Sequence, residues 1–266
     1  MERALLDLRP PGRWLGRRVH LYRAVDSTNR VAEALARSGA PEGTIVLADQ
    51  QSAGRGRLGR SFWSPPGCSV YLSVVLRPEE SLEKIPRYVF AAAVAVAAAA
   101  QDALGAAVQP EIKWPNDVLL GGRKTSGINL PAQADGQRVL SCILGIGVNV
   151  NVAPEEIPAE LREIATSLRI AGGKAVCRVE FLEGLLARLE QEIERLRREG
   201  FAATLDRWLK SFRMRGARVR LGGPGVAREV EGIVQGVDSD GALLLRAGRE
   251  THRILAGDVT VLRGAE

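Results

Sequence analysis

The segment GRGRLGRSFWSPPG at residues 54–67 limits the possible folds more than any other part of this sequence. Its first six residues match G-x-G-x-x-G, the fingerprint of dinucleotide-binding domains, and residues 54–61 match a P-loop with arginine in place of lysine. Both folds place a helix directly after the glycines, because the phosphates bind at its amino terminus. Pro65 and Pro66 break any such helix before the strand-like residues 69–77. The sequence therefore argues against both folds and predicts a loop between two strands.

Three arginines give this loop a permanent positive charge: Arg55, Arg57 and Arg60. A glycine-rich loop is pliable, and a guanidinium group can donate two parallel hydrogen bonds to a phosphate or a carboxylate. The loop therefore suits an anion around which it becomes ordered. The alternative interpretation is a basic hairpin loop exposed to solvent, which these residues alone leave open.

Hydrophobic patterns predict an α+β chain in which helices pack on a mixed sheet. A polar turn at residues 26–29 precedes a helix that ends near Gly39. Further helices are predicted over residues 87–104, 178–198 and 201–214. Strands are predicted over residues 44–49, 69–77, 111–114 and 138–151, with two more joined by a glycine turn within residues 118–130. After Gly216, short strands and glycine turns indicate a small β-barrel of about 50 residues.

The composition argues against several kinds of chemistry. His20 and His252 are the two histidines of the chain and lie far apart in sequence, which disfavours a histidine-ligated metal site or a Ser-His-Asp triad. Cys68, Cys142 and Cys177 are odd in number and lack C-x-x-C spacing, so neither a disulfide framework nor a thiolate zinc site is expected. Catalysis must therefore rest on Lys, Arg, Asp, Asn and backbone amides.

The sequence shows no membrane-spanning or targeting segment. Its longest apolar run, at residues 89–100, is shorter than the ~20 residues needed to cross a bilayer and is mostly alanine, which suits a packed helix. The amino terminus lacks the basic start and apolar centre of a signal peptide. We therefore expect a cytoplasmic protein without membrane contact. The 37 Lys and Arg exceed the 31 Asp and Glu by +6, which favours anionic partners and leaves nucleotides, acidic proteins and RNA open.

Three further motifs place polar or small residues in and around strands. In KWPND, at residues 113–117, lysine, asparagine and aspartate surround a Trp-Pro turn and suit a phosphate or Mg²⁺, although such residues also form ordinary turns. In RKTSGI, Lys124 lies on a strand rim and faces either an anion or solvent. In GIGVNVN, Gly145 and Gly147 share one face of an apolar strand, which indicates either a close approach of backbone or ligand, or a β-bulge.

The chain resembles the biotin protein ligases, the biotin:[acetyl-CoA-carboxylase] ligase family, from about Tyr22 to Leu262. The resemblance rests on five motifs in the same order: STN (27–29), QSAGRGRLGR (51–60), KWPND (113–117), RKTSGI (123–128) and GIGVNVN (145–151). It implies a mixed-sheet catalytic domain over residues 1–214, related to class II aminoacyl-tRNA synthetases. It also implies a C-terminal SH3-like barrel over residues 215–266.

The resemblance further implies the reaction and its residues. Biotin carboxylate attacks the α-phosphate of Mg-ATP to give biotinyl-5′-AMP and pyrophosphate, and a lysine of the biotin carboxyl carrier protein then accepts the biotin. The implied catalytic residues are Arg57, Lys124, Lys113 and Asp117, with Asp117 also as the Mg²⁺ ligand. The implied biotin contacts are Ser27, Thr28, Asn29, Gln51, Gly54, Arg55, Arg57, Lys124, Gly127, Gly145 and Gly147. The implied ATP contacts are Arg55, Arg57, Arg60, Trp63, Lys113, Asn116, Lys124 and Asn149.

The chain departs from the family pattern in two places. After K-x-x-G-I, the family commonly has an apolar residue and then a glutamate, whereas this chain has Asn129, Leu130 and Pro131; we do not include Asn129 in the predicted site. About 20 residues precede the STN motif, too few for the winged helix of members that repress transcription, so we expect no DNA binding. Family members also form dimers through sheet edges, and the sequence leaves both a monomer and a homodimer open.

Two other functions were weighed against this one. A lipoate protein ligase or octanoyl transferase shares the fold and acts on similar carrier domains, but lacks GRGRxGR. An RNA-binding module would account for the arginine loop and the barrel, but it leaves KWPND and the glycine strand unexplained. The loop also offers only Phe62 and Trp63 for base stacking. Biotin ligation is therefore the favoured hypothesis.

Overall fold

Two β-sheets form the framework of the protein, in a computed structural model that describes residues 8–223 and 229–262. The ends of both predicted domains and part of the predicted barrel, at residues 1–7, 224–228 and 263–266, lie outside the described residues. Within the described part, the first sheet has eight strands: β1 (Val19–Val25), β2 (Ile45–Gln51), β3 (Ser69–Leu76), β4 (Pro110–Lys113), β5 (Asp117–Leu120), β6 (Arg123–Asn129), β7 (Ala132–Asp135) and β8 (Arg138–Asn149).

The first sheet is mixed, as the sequence predicts. Its strands follow the order β1-β2-β3-β8-β6-β5-β4, and β7 pairs with β8 beside β6. The β1–β2 pair is parallel, and the remaining pairs of this sheet in the described residues are antiparallel. Strand β8 lies at the centre of this sheet. It pairs with β3 along one edge, and its 12 residues are long enough to pair with both β6 and β7 along the other.

Helices cover both faces of this sheet. The described residues form α1 (Thr28–Arg37), α2 (Arg87–Leu104), α3 (Leu168–Gly172), α4 (Arg178–Glu199) and α5 (Phe201–Ser211). Strand β3 is buried along its whole length, and its neighbouring residues face opposite sides: Val74 belongs to the main core, while Val75 packs with Ala32 and Ala36 of α1. The main core therefore lies on the α2–α4–α5 side, and α1 covers a smaller cluster on the other side.

Helix α2 is the apolar segment that the sequence predicts over residues 87–104, and the structure confirms these bounds. Within the described residues, Leu82–Leu104 is long and apolar enough to span a membrane by composition, but 61% of its most apolar window is buried inside the protein. Its alanines are among the fully buried residues and allow α4 to pack closely against it. The segment is the central helix of the core.

The second sheet shares the core of the first. Its strands are β9 (Arg218–Gly222), β10 (Val230–Val237), β11 (Leu243–Ala247), β12 (Glu250–Ile254) and β13 (Asp258–Val261), all antiparallel in the order β12-β11-β10-β9-β13. Leu221, Leu243 and Val259 belong to the same apolar cluster as α2, and the Trp114 indole N–H donates to the Gly241 carbonyl at 2.9 Å. A mixed sheet followed by an antiparallel domain is therefore confirmed. The SH3-like barrel, the relation to aminoacyl-tRNA synthetases and the domain boundary at residue 214 stay predictions.

One predicted element needs correction, and strands β1 and β7 and helix α3 were not predicted. The helix predicted over 201–214 ends at Ser211, since Phe212 adopts an extended backbone and the Met214 sulfur accepts the Trp114 backbone N–H at 3.3 Å. Strand β1 was not predicted, because it is a half-exposed edge strand without clear alternation of apolar and polar residues. Strand β7 was also missed, since its four mostly exposed residues, AQAD, carry no apolar pattern.

A buried carboxylate ties the amino-terminal segment to helix α4. Glu190 is 7% exposed, and it accepts backbone N–H bonds from Arg13 at 2.7 Å, Trp14 at 3.2 Å and Leu15 at 2.8 Å. A side chain at Gly12 would overlap this carboxylate, so the turn needs glycine there. Glu190 therefore satisfies three backbone donors before β1 begins.

We predict that Glu190→Ala lowers the free energy of unfolding by about 2 kcal/mol or more, because it leaves buried donors without an acceptor. Urea unfolding followed by circular dichroism measures the change. Glu194→Ala, on the same helix and half-exposed, is the control and should change the free energy by less than about 0.5 kcal/mol. Equal effects of the two substitutions would contradict the role given to Glu190.

Candidate active site

A cavity of about 450 Å³, counted with its open mouth, lies between the glycine-arginine loop and the middle of the first sheet. Most of the residues that the sequence predicts for the site line this cavity: Ser27, Thr28, Asn29, Gln51, Arg55, Arg57, Asn116, Lys124, Gly127, Gly145 and Gly147. They come from the start of α1, the end of β2, the loop, and strands β6 and β8. The fold thus brings together motifs that are up to 120 residues apart, counted from Ser27 to Gly147.

A polar wall closes one side of the cavity. The Thr28 backbone N–H and hydroxyl both donate to Gln51 Oε1, at 2.9 and 3.1 Å. Ser73 Oγ lies 2.8 Å from Thr28 Oγ1 and 2.6 Å from Asn29 Oδ1. Thr28, Asn29 and Ser73 are buried, so their orientations are fixed by these bonds and not by water, and Ser27 is buried beside them. The wall presents ordered donors and acceptors to a small polar ligand.

Glycines form the floor of the cavity because no side chain fits there. A Cβ atom at Gly145 would overlap the Asn29 amide, and one at Gly147 would lie 2.6 Å from the Phe62 ring. At Gly127 it would lie 3.0 Å from Lys124 Nζ. In the sheet, Gly147 pairs directly with Gly127 across β8 and β6. Within these described strands, no β-bulge interrupts the pairing of β8 with β3 or β6 at Gly145 and Gly147, and side chains approach these glycines closely. The predicted approach of a ligand stays a prediction.

The glycine-arginine loop folds back on itself as a short hairpin. Arg55 pairs with Ser61 through an isolated β-bridge, and the Gly56 N–H donates to the Arg60 carbonyl at 2.7 Å. A single 3₁₀ turn at Arg57–Gly59 is the only helical element before β3 in this described stretch, and Gly59 has a positive φ of 78°. The predicted absence of a Rossmann or P-loop helix after these glycines is confirmed.

Two cations of the cavity are held by neighbouring side chains. Arg57 Nη1 donates to Asn116 Oδ1 at 3.1 Å, and Lys124 Nζ forms an ion pair with Asp117 Oδ1 at 2.7 Å. Burial lowers the pKa of Arg57 from its ordinary value, and the charges of Asp258 and Asp117 oppose this effect. An arginine retains its proton even so, because its ordinary pKa lies far above neutral pH. Both cations are therefore held in fixed positions beside the polar wall.

Lys113 lies behind Asp117 and outside the cavity lining. It pairs with Asp117 across β4 and β5. Burial lowers the pKa of the Lys113 ammonium, while the charge of Asp117 raises it and that of Lys124 lowers it further. Asp117 therefore stands near three cations: Lys113, Lys124 and Arg57. Within residues 8–223 and 229–262 no group of three His, Cys, Asp or Glu side chains is placed to hold a metal.

Five other predicted site residues also lie outside the cavity lining, and one of them is Asp117, the partner of Lys124. Arg60 Nη2 forms an ion pair with Asp258 Oδ2 of β13 at 2.8 Å. Trp63 packs against an apolar cluster with Val152 and Ile157. Asn149 is buried and donates to the Thr166 carbonyl at 3.0 Å. Gly54 is enclosed by its own loop, where a Cβ atom would lie 2.6 Å from Ser64 Oγ. Their predicted ligand contacts stay predictions.

Several residues around the cavity were not predicted from the sequence, among them Ser73, Tyr71, Phe62 and Asn129. Ser73 could have been found as a polar residue inside the apolar run SVYLSVVL, and Tyr71 as its aromatic neighbour on the same face of β3. Phe62 lies on the glycine floor, and Asn129 lines the cavity at the end of β6. Neither follows from sequence spacing, because each depends on how the loop folds over the sheet.

Comparison with known proteins gives consistent matches. Residues 21–149 match the model of the biotin/lipoate A/B protein ligase family, and residues 216–262 match the biotin protein ligase C terminal domain. The chain is 37% identical to the bifunctional ligase/repressor BirA of Bacillus subtilis over 249 residues, which are 92% of this chain and 74% of the relative. It is 39% identical to the biotin–[acetyl-CoA-carboxylase] ligase of Paracoccus denitrificans over 232 residues, with 85% and 93% coverage.

A solved structure extends this similarity to three dimensions. The biotin protein ligase of Aquifex aeolicus in complex with biotin and ATP superposes with a TM-score of 0.79 at 29% identity. The match covers 93% of this chain and 100% of that chain, and so includes both sheets.

We predict that Lys113→Met raises the free energy of unfolding by about 1 kcal/mol at pH 7, because it removes a charge whose burial opposes folding. Between the lowered pKa of the folded chain and the ordinary value of 10.5, the unfolded chain binds more protons, so the parent becomes more stable as pH rises. The advantage of the variant should therefore shrink toward pH 10.

Urea unfolding at pH 7 and at pH 10 measures both effects. Lys210→Met, at an exposed position of α5, is the matched control and should leave the stability unchanged within about 0.5 kcal/mol. A less stable Lys113→Met variant, or an advantage that grows with pH, would show that burial of this charge does not oppose folding.

Proposed function

The chain belongs to the biotin/lipoate A/B protein ligase family, and we propose that the cavity under its glycine-arginine loop is the active site. The protein is a biotin protein ligase: it uses ATP to activate biotin as biotinyl-5′-AMP and then transfers biotin to a lysine of a carboxylase carrier protein. One observation carries the assignment of the site. Arg57 and Lys124 stand in the same cavity as the buried Thr28–Gln51 wall.

The polar wall is suited to the ureido ring of biotin. This ring is neutral and offers two N–H donors and one carbonyl acceptor, which need partners when they leave water. Thr28, Asn29 and Gln51 supply hydroxyl and amide groups whose positions are fixed by Ser73 and by one another. A side chain at Gly145 or Gly147 would fill the space for the ring. The Phe62 ring now lies against Gly147, so it moves aside when biotin enters.

The cations serve the first chemical step. A carboxylate oxygen of biotin forms a bond to the α-phosphorus of ATP, and the bond from that phosphorus to the pyrophosphate oxygen breaks. Two anions must meet, so fixed positive charges lower the barrier by holding them together and by stabilising the charge that develops. Arg57 is positioned by Asn116 and Lys124 by Asp117, which keeps both cations in place before the substrates arrive.

Mg²⁺ is expected to accompany ATP, and Asp117 is the residue that would contact it. Magnesium is commonly bound by one or two carboxylates together with substrate phosphates, so a single carboxylate is compatible with the site. The ion would neutralise phosphate charge. This carboxylate also pairs with Lys124.

In the second step, a lysine amine of the carrier attacks the carbonyl carbon of the mixed anhydride. The carbon–oxygen bond to AMP breaks, AMP leaves with the electron pair, and the nitrogen loses a proton. Water would hydrolyse the anhydride, so the loop must cover it until the carrier arrives. A cytoplasmic location, the absence of DNA binding, and the choice between monomer and homodimer stay predictions.

We predict pyrophosphate release when the protein is incubated with ATP, Mg²⁺ and biotin, and little release when lipoate replaces biotin. The reason is that the buried amides and hydroxyls of the wall would be left unpaired by a ligand without a ureido group. Coupled detection of pyrophosphate measures both rates. Release with lipoate but not with biotin would overturn the proposed function in favour of a lipoate ligase.

We predict that Lys124→Ala lowers the rate of biotinyl-AMP formation at least 100-fold, because one fixed cation at the reacting centre is lost. Quenched-flow measurement of the adenylate in a single turnover tests this. Lys174→Ala, which removes an exposed lysine before α4, is the control and should react at the parent rate. A normal rate in Lys124→Ala would remove this residue from the mechanism.

A further inference from the structure

Asn129 occupies the boundary between two cavities. It is the last residue of β6 and pairs with Gly145 of β8. It lines the active-site cavity, and together with Arg57 it also lines a larger groove that runs toward the second sheet. Any ligand that passes from one cavity to the other must pass this side chain or the loop beside it.

The carboxamide of Asn129 attaches the glycine-arginine loop to the sheet. Its Nδ2 donates to the Gly56 carbonyl at 3.3 Å, and its Oδ1 accepts the Leu130 backbone N–H at 3.0 Å. The second bond orients the amide, because only the oxygen can accept from a backbone donor. The nitrogen therefore faces the loop.

The neighbouring loop residue is attached at the same place. Arg57 donates to Asn116, whose Nδ2 donates to the Ile128 carbonyl at 2.8 Å. Consecutive loop residues, Gly56 and Arg57, are thus held at the end of β6 by two amide side chains. The Asn116 bond requires the Arg57 side chain, which the reaction also needs for its anions. The Asn129 bond involves only the backbone of the loop, so it can persist while Arg57 holds a substrate.

We propose that Asn129 is a positioning residue that keeps the loop closed over the activated intermediate between the two steps. This inference rests on the proposed function. The bond to Gly56 closes the boundary between the active-site cavity and the adjoining groove, so it slows escape of biotinyl-AMP and entry of water. Asn129 takes no part in forming the adenylate.

Two variants test the donor. Asn129→Leu has a similar size but no hydrogen-bonding group, and Asn129→Asp keeps the shape but cannot donate to the Gly56 carbonyl when ionised. Each protein is incubated with biotin, ATP and Mg²⁺, excess substrates are removed, and release of biotinyl-AMP and its hydrolysis products is followed without carrier. Both variants should release the intermediate about three- to tenfold faster than the parent, as expected for one lost hydrogen bond, with adenylation within twofold of the parent rate.

Gln109→Leu is the matched control, since it removes an amide that donates to the Ala106 carbonyl at 3.1 Å in the turn before β4. It should retain the intermediate as the parent does. The proposal would be overturned if both Asn129 variants released biotinyl-AMP within twofold of the parent rate. A raised KM for biotin with an unchanged release rate would also overturn it, because Asn129 would then be a substrate contact. A purely structural role would lower the unfolding midpoint without changing release, and this too would overturn it. If the parent forms no biotinyl-AMP, the proposed function fails, and this role fails with it.

Discussion

The arrangement of this protein depends on one steric constraint: the central strand β8 must be free of side chains on one face over residues 145–147. Along the same strand, Leu144, Ile146 and Val148 point into the main core and hold the backbone in place. The glycine face lies so close to Asn29 and Phe62 that a single methyl group would displace each of them. The cavity is therefore a consequence of missing side chains in a rigid sheet, and the polar wall and the loop are built against that surface.

The sequence predicts those parts of the site that depend on local chemistry. Glycines in an apolar strand, a polar turn before α1 and a loop with arginines but no helix each have a local physical reason, and these residues meet in one cavity. Long-range contacts could not be predicted in this way. The Ser73 contacts join β3 to α1 across more than 40 residues, and the Arg60–Asp258 pair joins the loop to the second sheet. The parallel strand β1 was not predicted, because its half-exposed residues show no alternation of apolar and polar side chains.

The site also contains partly buried positive charges. Burial lowers the pKa values of Arg57 and Lys113, and the charges of Asp258 and Asp117 oppose both shifts. Lysines clustered at the surface would oppose folding less, because their charges would not be buried, but they would remain solvated and mobile. Here the buried cations are partly desolvated, and Arg57 and Lys124 are held by Asn116 and Asp117, so less reorganisation is required when phosphate and carboxylate enter. The departure at Asn129 adds a neutral amide to this surrounding, where the family pattern commonly has an apolar residue.

The indole of Trp114 links the two sheets. Its ring is 2% exposed, its N–H is bonded to Gly241, and two residues later Asn116 holds Arg57. The turn that carries Asn116 and Asp117 thus has contacts on two sides: Trp114 packs toward the second sheet, and Asn116 is bonded to Ile128 within the first sheet. Separation of the second sheet would remove the Trp114–Gly241 bond and expose the indole beside the turn that holds Arg57, so local opening of the second sheet is coupled to the geometry of the cavity.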